Sequence, residues 1–182
     1  MKIQIKYIYK RTRGIIFSPS EYWNKIQDQH TSTKDAIYDY FVPIIILCSV
    51  LHFVIKLLCA TFSQALGLAI VNFASSIAGT WLAYLLIREL LCNKLNYRSS
   101  IAFNLTLYSA TVFLLFHSVG TSFGNLFIGQ LLTFCSFIFI RTLYIGINTL
   151  LELPSNQKTN TLIICSLSII CFPIIIFLTF NS

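Results

Sequence analysis

The sequence predicts an all-α integral membrane protein, a bundle of five transmembrane helices with short interfacial helices at its N-terminus. Five continuous apolar stretches fill most of residues 41–180. Only 10% of the 182 residues are charged, and the mean hydropathy is +0.75. A bilayer core of ~30 Å needs about 20 apolar residues in a helix rising 1.5 Å per residue. A β-barrel would show alternating segments of about ten residues, roughly half the length of these runs.

The N-terminal segment 1–40 is polar and precedes the transmembrane part, 41–182. Lys2, Lys6 and Lys10 recur every four residues, as on one helix face, although parts of the stretch also alternate with period two. Ser18-Pro19-Ser20-Glu21 reads as a helix start, with Ser18 as cap, Pro19 first in the helix and Glu21 three after the cap. Tyr22, Trp23 and Ile26 then share an apolar face, and this helix is expected to lie flat on the cytoplasmic surface. A second start at Ser32-Thr33-Lys34-Asp35 leads towards Tyr40 and the first span, which Pro43 can kink.

The spans are expected at Phe41–Ala60, Ala65–Ile87, Ile101–Gly120, Ser122–Phe139 and Thr161–Phe180. In the second, Gly67, Val71, Ser75, Gly79 and Ala83 form a mostly small-residue seam for close helix contact. Gly120 and Gly124 form another such pair entering the fourth span, with Gly129 beyond. Thr142–Leu151 stays apolar and could prolong that helix to Pro154. Pro173 should bend the fifth span.

Seven of the thirteen Lys and Arg precede residue 41. Arg88, Lys94, Arg98, Arg141 and Lys158 lie in or beside the two loops on the same side as that segment. The positive-inside rule therefore puts the N-terminus in the cytoplasm and the C-terminus outside. Lys56, near the outer end of the first span, is the exception, and its long stem can snorkel. The basic charge is assigned to topology and anionic headgroups, not to nucleic acid. No removable signal peptide is expected, because Gly14–Phe17 is too short for an apolar core.

Chemistry-bearing residues are few. The six cysteines lack CxxC spacing and read as small core hydrophobes, with no metal or cofactor implied. His52 and Lys56 share a face of the first span, and His117 lies near the outer end of the third. Together they could form a small outward-facing polar site, or simply reach headgroups. Asn72, Asn104, Gln130 and Thr133 are candidates for hydrogen bonds between helices. No nucleophile elbow, Walker loop, HExxH or paired-carboxylate pattern occurs, so the chain is not expected to be an enzyme.

The layout resembles the Yip1 family over most of the chain. The likeness rests on Ser18-Pro19 followed by Trp23 and Ile26, then the polar stretch Gln27–Asp39 and the lead-in Tyr40-Phe41-Val42-Pro43. Later come Leu143-Tyr144-Ile145-Gly146, Leu153-Pro154 and the turn Gln157-Lys158-Thr159. The pattern is similar to the short bacterial members, which implies a five-span protein of the cytoplasmic (inner) membrane without established catalytic residues. The expected function is a membrane-organising, trafficking-like or adaptor role. Lys10, Arg11, Arg13, Tyr22 and Trp23 would contact lipid headgroups or a membrane or cytoplasmic protein partner. The alternative is a small solute-binding membrane subunit or transporter built on His52, Lys56 and His117.

Overall fold

The computed structural model describes residues 5–28 and 33–181, and all regular structure among them is helical. Lys2 and the expected helix start at Ser32 lie outside the described residues. Two short helices, α1 (Ile5–Phe17) and α2 (Pro19–Asp28), precede five long ones. These are α3 (Thr33–Lys56), α4 (Phe62–Lys94), α5 (Ser99–Ser122), α6 (Phe127–Leu150) and α7 (Ser155–Asn181). Each of the five is long and apolar enough to cross a bilayer. The ambiguous N-terminal stretch is thus a helix over its described residues.

As expected, the helix that starts before Phe41 runs on into the first span. It runs from Thr33 through one π-helical stretch, Ile37–Phe41, before continuing from Val42. Pro43 lacks an N–H and crowds the carbonyl four residues before it. The wider π turn just ahead of it, closed by Val42 N–H to the Ile37 carbonyl, lets the helix pass the proline without ending. A second π stretch, Glu89–Lys94, finishes α4. The capping box at Thr61–Gln64 starts that helix with both of its reciprocal bonds formed.

The fourth span differs from expectation. Ser122 ends α5 instead of opening α6, and the turn occupies residues 123–126. Gly124 sits there with φ +60°, a conformation that suits glycine. Gly124 is therefore a turn residue, and the close packing pair is Gly120 with Gly129. A Cβ on Gly129 would stand 2.7 Å from the Gly120 carbonyl oxygen, so α5 and α6 meet backbone to backbone. Beyond, α6 passes a turn at Ser136–Phe137 and runs through the exposed Arg141 to Leu150.

The central helix is α5, with a long buried run from Leu105 to Leu114. The small-residue seam of α4 is used inside the molecule, but only in part. Ser75, Gly79 and Ala83 are buried, whereas Gly67 has open space around it. Gly79 receives Pro173 of α7, whose Cα and N would lie 2.5 Å from a Cβ at that position. That contact lets α4 and α7 pack closely over an extensive interface. The cysteines are free, and only Cys48 and Cys165 are fully buried, so core packing accounts for two of the six.

Candidate functional site

Two polar clusters lie inside this apolar frame. The first joins α1 and α2 to the bundle. Gly14 lets the two short helices close on each other, since a Cβ there would meet the Tyr22 ring at 2.9 Å. Trp23 is wholly buried, and its indole N–H donates to the Thr142 carbonyl of α6 at 2.9 Å. Gly146, one turn on, makes room for the ring: a Cβ would stand 2.7 Å from Trp23 Cε2. The apolar face of α2, with Ile26 also buried, is thus turned to the protein. The face expected to meet the membrane surface is therefore used for packing within the protein. The bundle offers Trp23 both a notch and a carbonyl acceptor.

Arg11 stands beside this joint and is 6% exposed. Its Nε donates to the Tyr22 hydroxyl and its Nη1 to the Tyr7 hydroxyl. The guanidinium also lies over three rings, 5.0 Å from the centroid of Tyr7, 5.2 Å from Tyr108 and 5.5 Å from Tyr40. Desolvated cation–π contacts of this kind can reach about 2 kcal/mol each. Tyr108 is the hub, with Tyr22 and Trp23 edge-on at 5.9 Å and Tyr40 tilted at 5.3 Å. Burial pulls the pKa of Arg11 down, but the fields of Tyr108, Tyr22 and Tyr7 outweigh it and leave the pKa raised. Tyr22 is pushed up to about 12 by burial, with Arg11 opposing.

The other expected contact residues of this region are placed differently. Lys10 and Arg13 are exposed, while Tyr22 is partly buried. Arg11 and Trp23 are spent on the interior and offer almost no surface to lipid or partner. Lys6, Tyr9, Lys10, Arg13 and Phe17 instead share the open side of α1.

The second cluster lies in the other half of the bundle, where α3, α4 and α5 meet. His52 is 1% exposed, and its Nδ1 is 2.8 Å from Ser122 Oγ and 3.3 Å from the Ser118 carbonyl. Asn72 Nδ2 donates to Ser118 Oγ at 2.8 Å and to Ser49 Oγ at 3.4 Å. The Nε2 of His52 is buried without a hydrogen-bond partner among the described residues, and Phe177 of α7 stands edge-on to the ring. Lys56 is half-buried at the end of α3. The His117 ring stacks on Phe113 at 4.9 Å, while its carbonyl accepts at 3.0 Å from Thr121 Oγ1, which also donates to the Ser118 carbonyl at 3.1 Å. Of the expected trio, His52 contributes its side chain to this network. Of the four polar residues singled out for interhelical bonding, Asn72 forms such bonds, while Gln130 is exposed.

The sequence reading missed Tyr7, Tyr40 and Tyr108, and with them Ser49, Ser118 and Ser122. The spacings Tyr7–Arg11 and Ser118–Ser122, each four apart, were the only local signals; the remaining partners come from distant segments. Among the described residues no group of three His, Cys, Asp or Glu converges as metal ligands would. Comparison with protein-family models, with curated proteins and with solved structures finds no match.

Proposed function

We propose that this chain is a non-enzymatic multi-pass membrane protein of Yip1 type with a membrane-organising or adaptor role. Its N-terminus is cytoplasmic and its working face is the outer side of α1. The observation that carries the reading is the division of labour on that helix. Its inner side, with Ile15 and Arg11, is buried in the bundle. Its outer side leaves Lys6, Lys10 and Arg13 exposed beside Tyr9 and Phe17, which are 65% and 73% exposed. Basic and aromatic groups presented together beside a membrane suit anionic headgroups, each basic residue adding ~1 kcal/mol near the surface. A helix pinned in this way presents that face in one orientation to lipid or to a partner at the membrane.

The test is a Lys6→Gln, Lys10→Gln, Arg13→Gln variant of the full chain in native membranes. Crosslinking in mild detergent, with mass spectrometry of proteins and lipids, should show loss of anionic-lipid or partner association while insertion and thermal stability persist. Unchanged association would refute the reading. The solute-binding alternative draws on the His52 network.

A further inference from the structure

Neither polar cluster uses the groove where the beginning of α3, the last third of α4 and the beginning of α5 meet. An apolar cavity of about 200 Å³ lies there. Its walls are Ile37 and Phe41 of α3, Ile77, Trp81 and Tyr84 of α4, and Phe103 of α5. The rings hold one another in place, with Trp81 and Tyr84 5.5 Å apart and Tyr84 edge-on to Phe103 at 5.6 Å. Thr80 and Thr106 also border the cavity, but both hydroxyls turn to their own helices. Thr80 Oγ1 donates to the Ser76 carbonyl at 2.7 Å, and Thr106 Oγ1 to the Ala102 carbonyl at 2.8 Å. The surface left to an occupant is apolar. Bound water needs several polar partners, whereas an apolar cavity of ~150 Å³ already holds a benzene-sized group. Trp81 and Ile77 are exposed, so the wall reaches the outer surface of the bundle.

A second hollow, a polar one, is lined by the next turns of the same two helices, with Arg88 and Glu89 on α4 and Ser99 on α5. Arg88 follows Tyr84 by four residues and Ser99 precedes Phe103 by four, so each pair shares a helix face one turn apart. At 1.5 Å per residue, Tyr84 and Ile77 stand about 6 and 17 Å along the axis from Arg88. Half of a ~30 Å hydrocarbon core is about 15 Å, so the cavity covers the depth of an acyl chain beneath its headgroup. The polar hollow holds one cation and one carboxylate. Glu89 Oε2 accepts from Asn93 Nδ2 at 2.7 Å, and a carboxylate keeps further acceptor sites. Opposite charges side by side match a zwitterion better than an anion. Both π-helical stretches among the described residues border this groove, Ile37–Phe41 at the cavity and Glu89–Lys94 at the hollow. Such stretches frequently lie at functional sites.

We propose that this groove binds one phospholipid with a zwitterionic, primary-amine headgroup, of the phosphatidylethanolamine class. An acyl chain fills the cavity, the phosphate meets Arg88 and Ser99, and the ammonium donates to Glu89. A choline headgroup has no N–H to donate, and a glycerol headgroup has no cation for the carboxylate. The site is separate from the outer side of α1. It rests on the five helices crossing a bilayer, which resistance to alkaline carbonate extraction tests by itself.

The experiment uses the full chain, stripped of lipid in maltoside detergent. It is offered phosphatidylethanolamine, phosphatidylcholine or phosphatidylglycerol with identical dioleoyl chains. Native mass spectrometry reads lipid bound per chain, and thermal unfolding reads the rise in midpoint that binding produces. The ethanolamine lipid should bind at one per chain and about five-fold more tightly than the choline lipid, as one exposed charge pair allows. Glu89→Gln should make these two lipids equal without moving the lipid-free midpoint. Ile77→Trp, which fills the cavity from an exposed position, should weaken all three lipids. Equal binding of the three lipids by the parent overturns the proposal. So does a preference for the glycerol lipid, which would assign the hollow to Arg88 without Glu89. An ethanolamine preference that survives both variants places the lipid elsewhere and overturns it too.

Discussion

The Arg11 cluster and the His52 network both bury a basic side chain, yet they are built from different materials. Around Arg11 the partners are large aromatic rings from α1, α2, α3 and α5, gathered about a permanent charge. Around His52 they are small hydroxyls and one carboxamide from α3, α4 and α5. The first joins two peripheral helices to the bundle, and the second joins long helices that already pack against one another. Rings contribute area and ring contacts as well as hydrogen bonds. Small hydroxyls contribute little beyond their hydrogen bonds, so loss of a partner should matter much more in the first cluster.

The largest effect should follow Trp23→Ala. It empties a fully buried ring position, removes the bond to the Thr142 carbonyl and takes away an edge contact to Tyr108. Truncating a buried Trp costs ~3–5 kcal/mol. That exceeds what a two-helix attachment can lose and remain docked. Hydrogen exchange should show residues 5–28 unprotected while the long helices keep their protection. Protection lost equally throughout would mean that the peripheral helices and the bundle unfold as one unit, and the contrast drawn between the two clusters would fail.

The bundle was legible in the sequence because continuous apolar runs of spanning length have few other uses. Its details were less so. Gly120, Gly124 and Gly129 are equally plausible as turn or contact until the positive φ at Gly124 is seen. Of the two clusters, Trp23 and His52 could be singled out by residue type alone. What surrounds them could not, since Trp23 meets Thr142 across 119 residues and His52 meets Ser122 across 70. Arg11 was read as a surface charge because a lone Arg in a polar segment with Lys10 and Arg13 beside it has no local sign of burial. Its partners are tyrosines rather than an acid at helical spacing, so charge patterning gave no clue.

A smaller effect should come from alkali, and only in the Arg11 cluster. Tyr22 is raised from its ordinary value of 10 to about 12 by burial, so the folded protein holds its proton more tightly than the unfolded chain. Stability from this group is fully present below pH 10 and is lost as pH rises from 10 to 12. The two-unit shift corresponds to about 2.7 kcal/mol, which we reduce by roughly half because Tyr22 is only partly buried. Tyrosinate absorbance should show Tyr22 titrating late, and Tyr22→Phe should flatten the loss of stability over that window. An unaltered profile in the Phe variant would assign the alkaline loss to other tyrosines.

The smallest effect should follow Asn72→Ala, although this change removes two hydrogen bonds from a fully buried position. In a soluble core, orphaning Ser118 Oγ and Ser49 Oγ would cost a few kcal/mol. Within a membrane bundle, interhelical hydrogen bonds average ~0.6 kcal/mol, because freed groups find other partners. Both serines lie on helices, where a hydroxyl can turn back to the carbonyl four residues earlier, as Ser122 already does to Ser118 at 2.7 Å. The bonds of Ser75 and Ser76 go to the Asn72 backbone and survive the change. The expected loss is therefore about 1 kcal/mol, read from unfolding in mixed micelles, with the His52–Ser122 contact intact. A loss of about 3 kcal/mol or more would mean that Asn72 orders more than two serines. The Nε2 of His52, without a hydrogen-bond partner among the described residues, would then become the place to look for a bound solute, and the His52 network would resemble the Arg11 cluster in kind as well as in burial.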